Sequence, residues 1–149
     1  MFESYIGTKR IYAEPMTRGE YAKLSGRNSI MTEKGESETD EGYHVRYGDG
    51  YESWSPKSVF DAAYRKSGNM TFGHAIELLK LGFKVARKGW NGKGMYLYIA
   101  DGKLLTQEIG DGSYPFTDSI VMKTADNRYC IGWLASQTDM LAEDWRIVE

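Results

Sequence analysis

The stretch Arg87-Lys88-Gly89-Trp90-Asn91-Gly92-Lys93-Gly94-Met95 gathers residue types able to hold an anionic ligand that carries a planar base. Three glycines within six residues leave the backbone N–H groups accessible, and glycine adopts shapes closed to other residues. Asn91-Gly92 is a strong turn signal. Trp90 sets a flat ring beside that turn, and Arg87, Lys88 and Lys93 surround it with no intervening acid. The competing reading is a basic hairpin whose tryptophan plugs the core, the commoner role of a single indole.

A second stretch has a similar make-up. Gly132-Trp133-Leu134-Ala135-Ser136-Gln137-Thr138-Asp139 places a glycine and a tryptophan before small polar residues. If the two loops meet, a purine between Trp90 and Trp133 gains roughly 1–3 kcal/mol per stacked ring. Asp139 would accept from ribose hydroxyls or a base N–H, and the amides of Gly92 and Gly94 with Lys93 would hold phosphate. Ser136 joins this set as a hydroxyl beside the second indole. Sequence spacing alone does not bring the loops together.

The elements that must position these loops are legible from periodicity. Phe72, Ala75, Ile76 and Leu79, widened by Leu78, predict an amphipathic helix capped by Thr71 and ended near Gly82. His74, near its start, reads as a neutral surface residue. Phe83, Val85 and Arg87 alternate as a strand leading into the first loop. Met95 to Ala100 is apolar on both faces, which predicts a central strand or one covered by a partner subunit. Residues 101–118 read as loop with one short strand segment at Leu104-Leu105. Ser119–Lys123, Arg128–Trp133 and Arg146–Val148 read as further strands, with one helical turn capped by Ser136 or Thr138 before the last.

Residues 1–70 read as a separate small α+β module. Thr17-Arg18-Gly19-Glu20 matches a capping box that opens a short helix ending near Gly26. Tyr43, Val45 and Tyr47 alternate into the turn Gly48-Asp49-Gly50, followed by a returning strand through Trp54, an expected packing anchor. His44 falls on the other face from Tyr43 and is expected to be exposed. Ser55-Pro56 reads as cap and first turn of a second helix bearing Val59, Phe60, Ala63 and Tyr64. Between the first helix and the hairpin, residues 28–42 carry five acids against one lysine and read as a solvated loop, with residues 32–41 dispensable for folding and capture. The fold class expected is therefore α+β: residues 71–149 form a small antiparallel sheet packed with an amphipathic helix, and residues 1–70 form the module before it.

Bulk properties narrow the function. A net charge of −2 over 149 residues gives no electrostatic footprint for polymeric nucleic acid. Cys130 is alone, so neither an internal disulfide nor a cysteine-rich zinc site is expected, and a reducing cytosol fits. His44 and His74 have no metal-ligand spacing, so no metal or cofactor is expected. The first residues lack the basic and apolar regions of a signal peptide, and no apolar run reaches membrane-spanning length. No base, nucleophile or carboxylate pair stands out, so no catalytic residue is assigned and the chain is read as a non-enzyme.

Several runs carry a specific resemblance: Thr71-Phe72-Gly73-His74-Ala75, Val85-Ala86-Arg87 through Met95, Lys123-Thr124-Ala125-Asp126, and Gly132-Trp133 through Asp144-Trp145. Together they resemble the second type of phage Thoeris anti-defence protein, over about residues 70–149. The resemblance implies a small homotetrameric sponge in the cytoplasm of an infected bacterium. Such proteins bind a cyclic ADP-ribose isomer made by an activated TIR-domain protein and withhold it without cutting it; some also hold cyclic dinucleotides or trinucleotides in separate pockets. It implicates Trp90 and Asn91, then Trp133, Ser136 and Asp139. The additional first 70 residues depart from compact members and resemble a module seen in other phage proteins. The alternatives left open are a phage structural or protein-interaction module and a hydrolase of the same signal.

Overall fold

The computed structural model describes residues 3–26 and 36–149, which divide into two compact units, Met1–Arg65 and Lys66–Glu149. The helices and antiparallel sheets make an α+β protein. The division falls ahead of the expected boundary at residues 70 and 71. Residues 67–70 belong to the second unit through strand β8 (Trp145–Val148): Gly68 N–H donates to the Trp145 carbonyl at 2.9 Å, and Ile147 N–H donates to Ser67 Oγ at 3.0 Å. Met70, 5 % exposed, pairs with Trp145 and sits in the second core.

In the first unit, β1 (Tyr12–Pro15), β2 (Gly42–Arg46) and β3 (Glu52–Pro56) form an antiparallel sheet in that spatial order. The Thr17 box forms as expected: Glu20 N–H donates to Thr17 Oγ1, and Thr17 N–H donates to the Glu20 carboxylate at 2.8 Å. It opens α1 (Arg18–Leu24), whose Tyr21 packs on His44 with ring centroids 5.3 Å apart. On the other face, Phe60 of α2 (Lys57–Ala63) stacks on Tyr43 at 4.1 Å. Helices thus cover both faces of β2, because adjacent strand residues point to opposite sides.

Three expectations for this unit change. His44 is not an exposed residue: α1 covers its face, and its ring nitrogens lie 3.2 Å from Glu14 and 3.1 Å from Glu52. Ser55 does not cap α2. Strand pairing runs on through Pro56, which faces Gly42, and Lys57 N–H still donates to the Glu41 carbonyl, so Pro56 itself occupies the cap position. The acidic stretch is not wholly solvated. Residues 28–35 lie outside the described residues, but Glu38 and Asp40 carbonyls accept from Gly19 and Arg18, and the Arg18 guanidinium meets Glu36 at 2.7 Å and lies over the Trp54 ring. Replacing residues 36–40 by Gly-Ser repeats is therefore expected to destabilise the first unit by about 2 kcal/mol, the usual scale for lost bonds to a charged group. An unchanged thermal transition would contradict this.

The second unit is a five-stranded antiparallel sheet ordered β7-β6-β5-β4-β8. Its strands are β4 (Lys84–Arg87), β5 (Tyr96–Ala100), β6 (Ser119–Lys123), β7 (Tyr129–Ile131) and β8. The two-faced apolar strand is central, as expected: Leu97 is fully buried in the core while Tyr98 on the opposite face meets Tyr129 edge-on. The amphipathic α3 (Phe72–Lys80) lays Ala75, Leu78 and Leu79 on β4, β5 and β8. His74 is half-buried rather than a plain surface residue. Its Nδ1 accepts from Thr71 N–H and lies 2.7 Å from Thr71 Oγ1, doing the work that Glu or Gln does in a capping box.

Residues 101–118 hold a helix where loop and strand were expected. In α4 (Gly102–Ile109), the Asp101 carboxylate caps by accepting from Lys103 and Leu104 N–H. Gly102 helped this stretch read as loop, because glycine is unfavourable within a helix. Here it is needed for close approach, since a Cβ at Gly102 would strike the Phe116 carbonyl. At the other sheet edge, β7 stops at Ile131 because Gly132 and Trp133 N–H both donate to the Ile120 carbonyl. Gly132 has φ +85°, and this bulge brings Trp133 against the core. Among the described residues no helix is long and apolar enough to cross a membrane.

Candidate functional site

The two loops singled out by their residue types meet within one chain. Trp133 arrives from the bulge after β7, Trp90 from the turn after β4, and Trp145 from the start of β8. Trp90 lies 6.1 Å from Trp133 and 5.5 Å from Trp145, both edge to face, and Trp133 meets Trp145 at 6.4 Å. Trp145 is fully buried, whereas Trp90 and Trp133 are half-buried and reach the surface. Edge-to-face packing suits the ring quadrupoles. It also corrects one expectation: at an interplanar angle of 65°, Trp90 and Trp133 leave no parallel slot for a purine between them.

Asp139 fastens the cluster. It stands in the first turn of α5 (Gln137–Met140), which Ser136 caps as expected. Its Oδ1 accepts from Trp90 Nε1 at 3.0 Å and Arg87 Nη1 at 2.9 Å. Its Oδ2 accepts from Ser136 Oγ at 2.7 Å and Ser136 N–H at 3.2 Å. A carboxylate offers about four acceptor positions, and these four bonds occupy them. Asp139 is therefore a strut beneath Trp90, not an open acceptor for ribose, and the Ser136 hydroxyl is likewise committed to the cap. Burial, the largest single influence, pushes the Asp139 carboxyl up, but the bonds from Ser136, Arg87 and Trp90 outweigh it and bring the pKa to about 2.

Two residues that hold this cluster together, Asp144 and Arg87, were not among the expected ligand-binding residues, although Arg87 was counted with the cations around Trp90. Asp144 accepts from Arg87 Nε at 2.8 Å and from Gly89 N–H at 2.7 Å. Hydrogen bonding by Arg87 holds the Asp144 carboxyl below its usual range, and Asp144 followed by Asp139 raises the Arg87 pKa. The available signal was Arg87 itself, a cation in register with Phe83 and Val85 on a core-directed strand face. Such a charge needs a carboxylate partner when it is buried.

Above this support stands the Trp-Asn-Gly turn. Asn91, Lys93 and Gly94 are exposed, and Gly94 has φ +69°. Gly92 is half-buried because a side chain there would strike Met95 and Ala125. The Lys123 ammonium lies beside Gly94, adding a second cation near Lys93. The turn thus offers an amide side chain, backbone N–H groups and positive charge next to the rim of an indole pair.

Residues 70–148 match the family described as the Thoeris anti-defense 2-like domain. The chain is also 47 % identical over 85 residues to Thoeris anti-defense 2 of Bacillus phage SP01, a match spanning 53 % of this chain and 94 % of that protein. The family match covers the five-stranded sheet, the indole cluster and both loops and leaves the first unit outside it. The chain belongs to the Thoeris anti-defense 2-like family of phage anti-defence proteins.

Proposed function

We propose that the second unit is a sponge that binds an anionic cyclic nucleotide signal, a cyclic ADP-ribose isomer, and withholds it uncut in the host cytoplasm. The observation that carries this reading is the junction of the two loops: the turn with exposed Asn91, Lys93 and Gly94 adjoins Trp90, which packs on Trp133 and is bonded to the ion-paired Asp139. Trp90 offers the outer ring surface to a base. Asn91 hydrogen-bonds base or ribose, and the Gly92 amide with Lys93 takes phosphate. Trp133 packs beside Trp90, while Asp139, bonded to Ser136, holds the Trp90 indole. Withholding needs affinity alone, and this site asks for no general base or nucleophile. Membership in an anti-defence family supports the biological context.

The expected assembly is a homo-oligomer, a tetramer. Leu134 is 89 % exposed and Leu141 81 % exposed, flanking the second loop, so an apolar surface lies next to the site. Sedimentation equilibrium is expected to give a species several times 16.9 kDa at micromolar concentration. A purely monomeric result would reject the assembly.

The function is tested by incubating the full chain with the cyclic ADP-ribose isomer, removing protein by filtration, then denaturing it. Depletion followed by recovery of intact ligand is expected. Recovery of a cleavage product would make the protein a hydrolase, and no depletion would favour a protein-interaction module.

A further inference from the structure

We infer that Arg87 is the positioning residue of the capture site, setting the angle of Trp90 without touching ligand. This rests on the capture reading above. Arg87 ends β4 and is mostly buried, its side chain 16 % exposed. Its guanidinium spans two carboxylates on separate segments, Asp139 of α5 and Asp144 before β8. Each carboxylate then grips the Trp-Asn-Gly loop at a different place: Asp139 at the Trp90 indole and Asp144 at the Gly89 amide. Lys88 N–H also donates to the Asp144 carbonyl, so three consecutive residues are tied to this frame. Among the described residues, no other cation is ion-paired with either carboxylate. Without Arg87 the two acids repel one another, and the turn loses the group that sets their spacing. Lysine is a poor substitute, since a point charge cannot fork between two carboxylates as a planar guanidinium does.

A residue that positions a site alters how often the site is competent, not what the ligand meets once bound. Apparent Kd then rises as the inverse of the competent fraction while the signal at saturation stays the same. In the full chain, Arg87→Gln is expected to weaken binding of the cyclic ADP-ribose isomer about 10-fold, with an unchanged indole fluorescence change at saturation, and Arg87→Lys to recover part of that loss. Parental affinity in a folded Arg87→Gln protein would overturn the inference, as would a smaller saturating signal. If the parent chain itself does not bind, the capture reading fails instead. The clamp is then decided by near-ultraviolet circular dichroism of the indole cluster. Arg87→Gln should reduce it and Arg87→Lys restore part of it; an unchanged spectrum in both overturns the positioning role. Should Arg87→Gln not fold, Arg87→Lys alone decides, a parental Kd and spectrum counting against the inference.

Discussion

Asp139→Ala is expected to destabilise the second unit by about 3 kcal/mol, because it leaves the half-buried Trp90 indole N–H and part of the mostly buried Arg87 guanidinium without acceptors and removes half of a capping box. For a unit of this size that lowers the melting temperature by roughly 15 °C. Asp139→Asn keeps an oxygen for Trp90 but loses the ion pair, so its effect should be intermediate. The pH dependence follows in sign. The folded pKa, about 2, lies below the unfolded value, so Asp139 stabilises the fold above the ordinary carboxylate range and that contribution is lost as pH falls toward 2. Asp144, also held low, acts in the same direction. Scanning calorimetry from pH 7 to pH 2 should show a steady transition down to about pH 4 and a steep decline below. In Asp139→Ala the decline should be shallower. A melting temperature matching the parent at pH 7, or one that rises on acidification in this window, would refute the strut.

Local signals in the sequence were sufficient for several single elements. The Thr17 box, the α3 stripe, the strand at Ser119–Lys123 and the Ser136 cap each depend on residues within one or two turns. Expectations failed where another segment intervened. His44 lost its exposure to Tyr21 of α1, twenty residues and more away in sequence. Ser55 lost its cap because β2 holds the backbone extended through Pro56. Gly102 read as part of a loop because the Phe116 carbonyl that requires a glycine there is remote in sequence.

The site divides along the same line. Trp90, Asn91 and Trp133 could be picked out as candidates because they sit beside glycines in polar loops, and the structure leaves Asn91 exposed and the two rings half-buried. What the sequence could not give was the angle between rings, and the angle decides the chemistry. A sandwich needs parallel planes, but the bulge at Gly132 and the bond from Trp90 to Asp139 turn the rings edge to face. Asp139 looked like a ligand acceptor because a carboxylate in a polar loop has no visible partner. Ser136, its cap partner, is local, but its other partners come from β4 and the first loop, some fifty residues earlier. A parallel sandwich between Trp90 and Trp133 of the same chain is therefore closed to a planar ligand.

That geometry makes Trp90→Ala the most informative binding variant, and it gives the residue two roles at once. It packs against Trp145 and Trp133, so truncation should cost the second unit about 3 kcal/mol. Its outer surface should supply one stacked ring, so affinity for the cyclic ADP-ribose isomer should fall by about 1–3 kcal/mol, or roughly 5- to 150-fold. Trp90→Phe separates the roles: it keeps a ring for stacking and gives up the N–H bond to Asp139. It should therefore bind better than Trp90→Ala while remaining less stable than the parent. Asn91→Ala completes the comparison, since Asn91 is exposed and its loss should weaken capture with almost no change in melting temperature. Calorimetric titration of all three, after sedimentation has shown equal assembly, distinguishes packing from contact. If Trp90 only packs, affinity will follow stability across the series and Asn91→Ala will bind like the parent. If the ring and the amide touch ligand, Asn91→Ala will break that correlation, and a folded Trp90→Ala chain with parental affinity cannot occur.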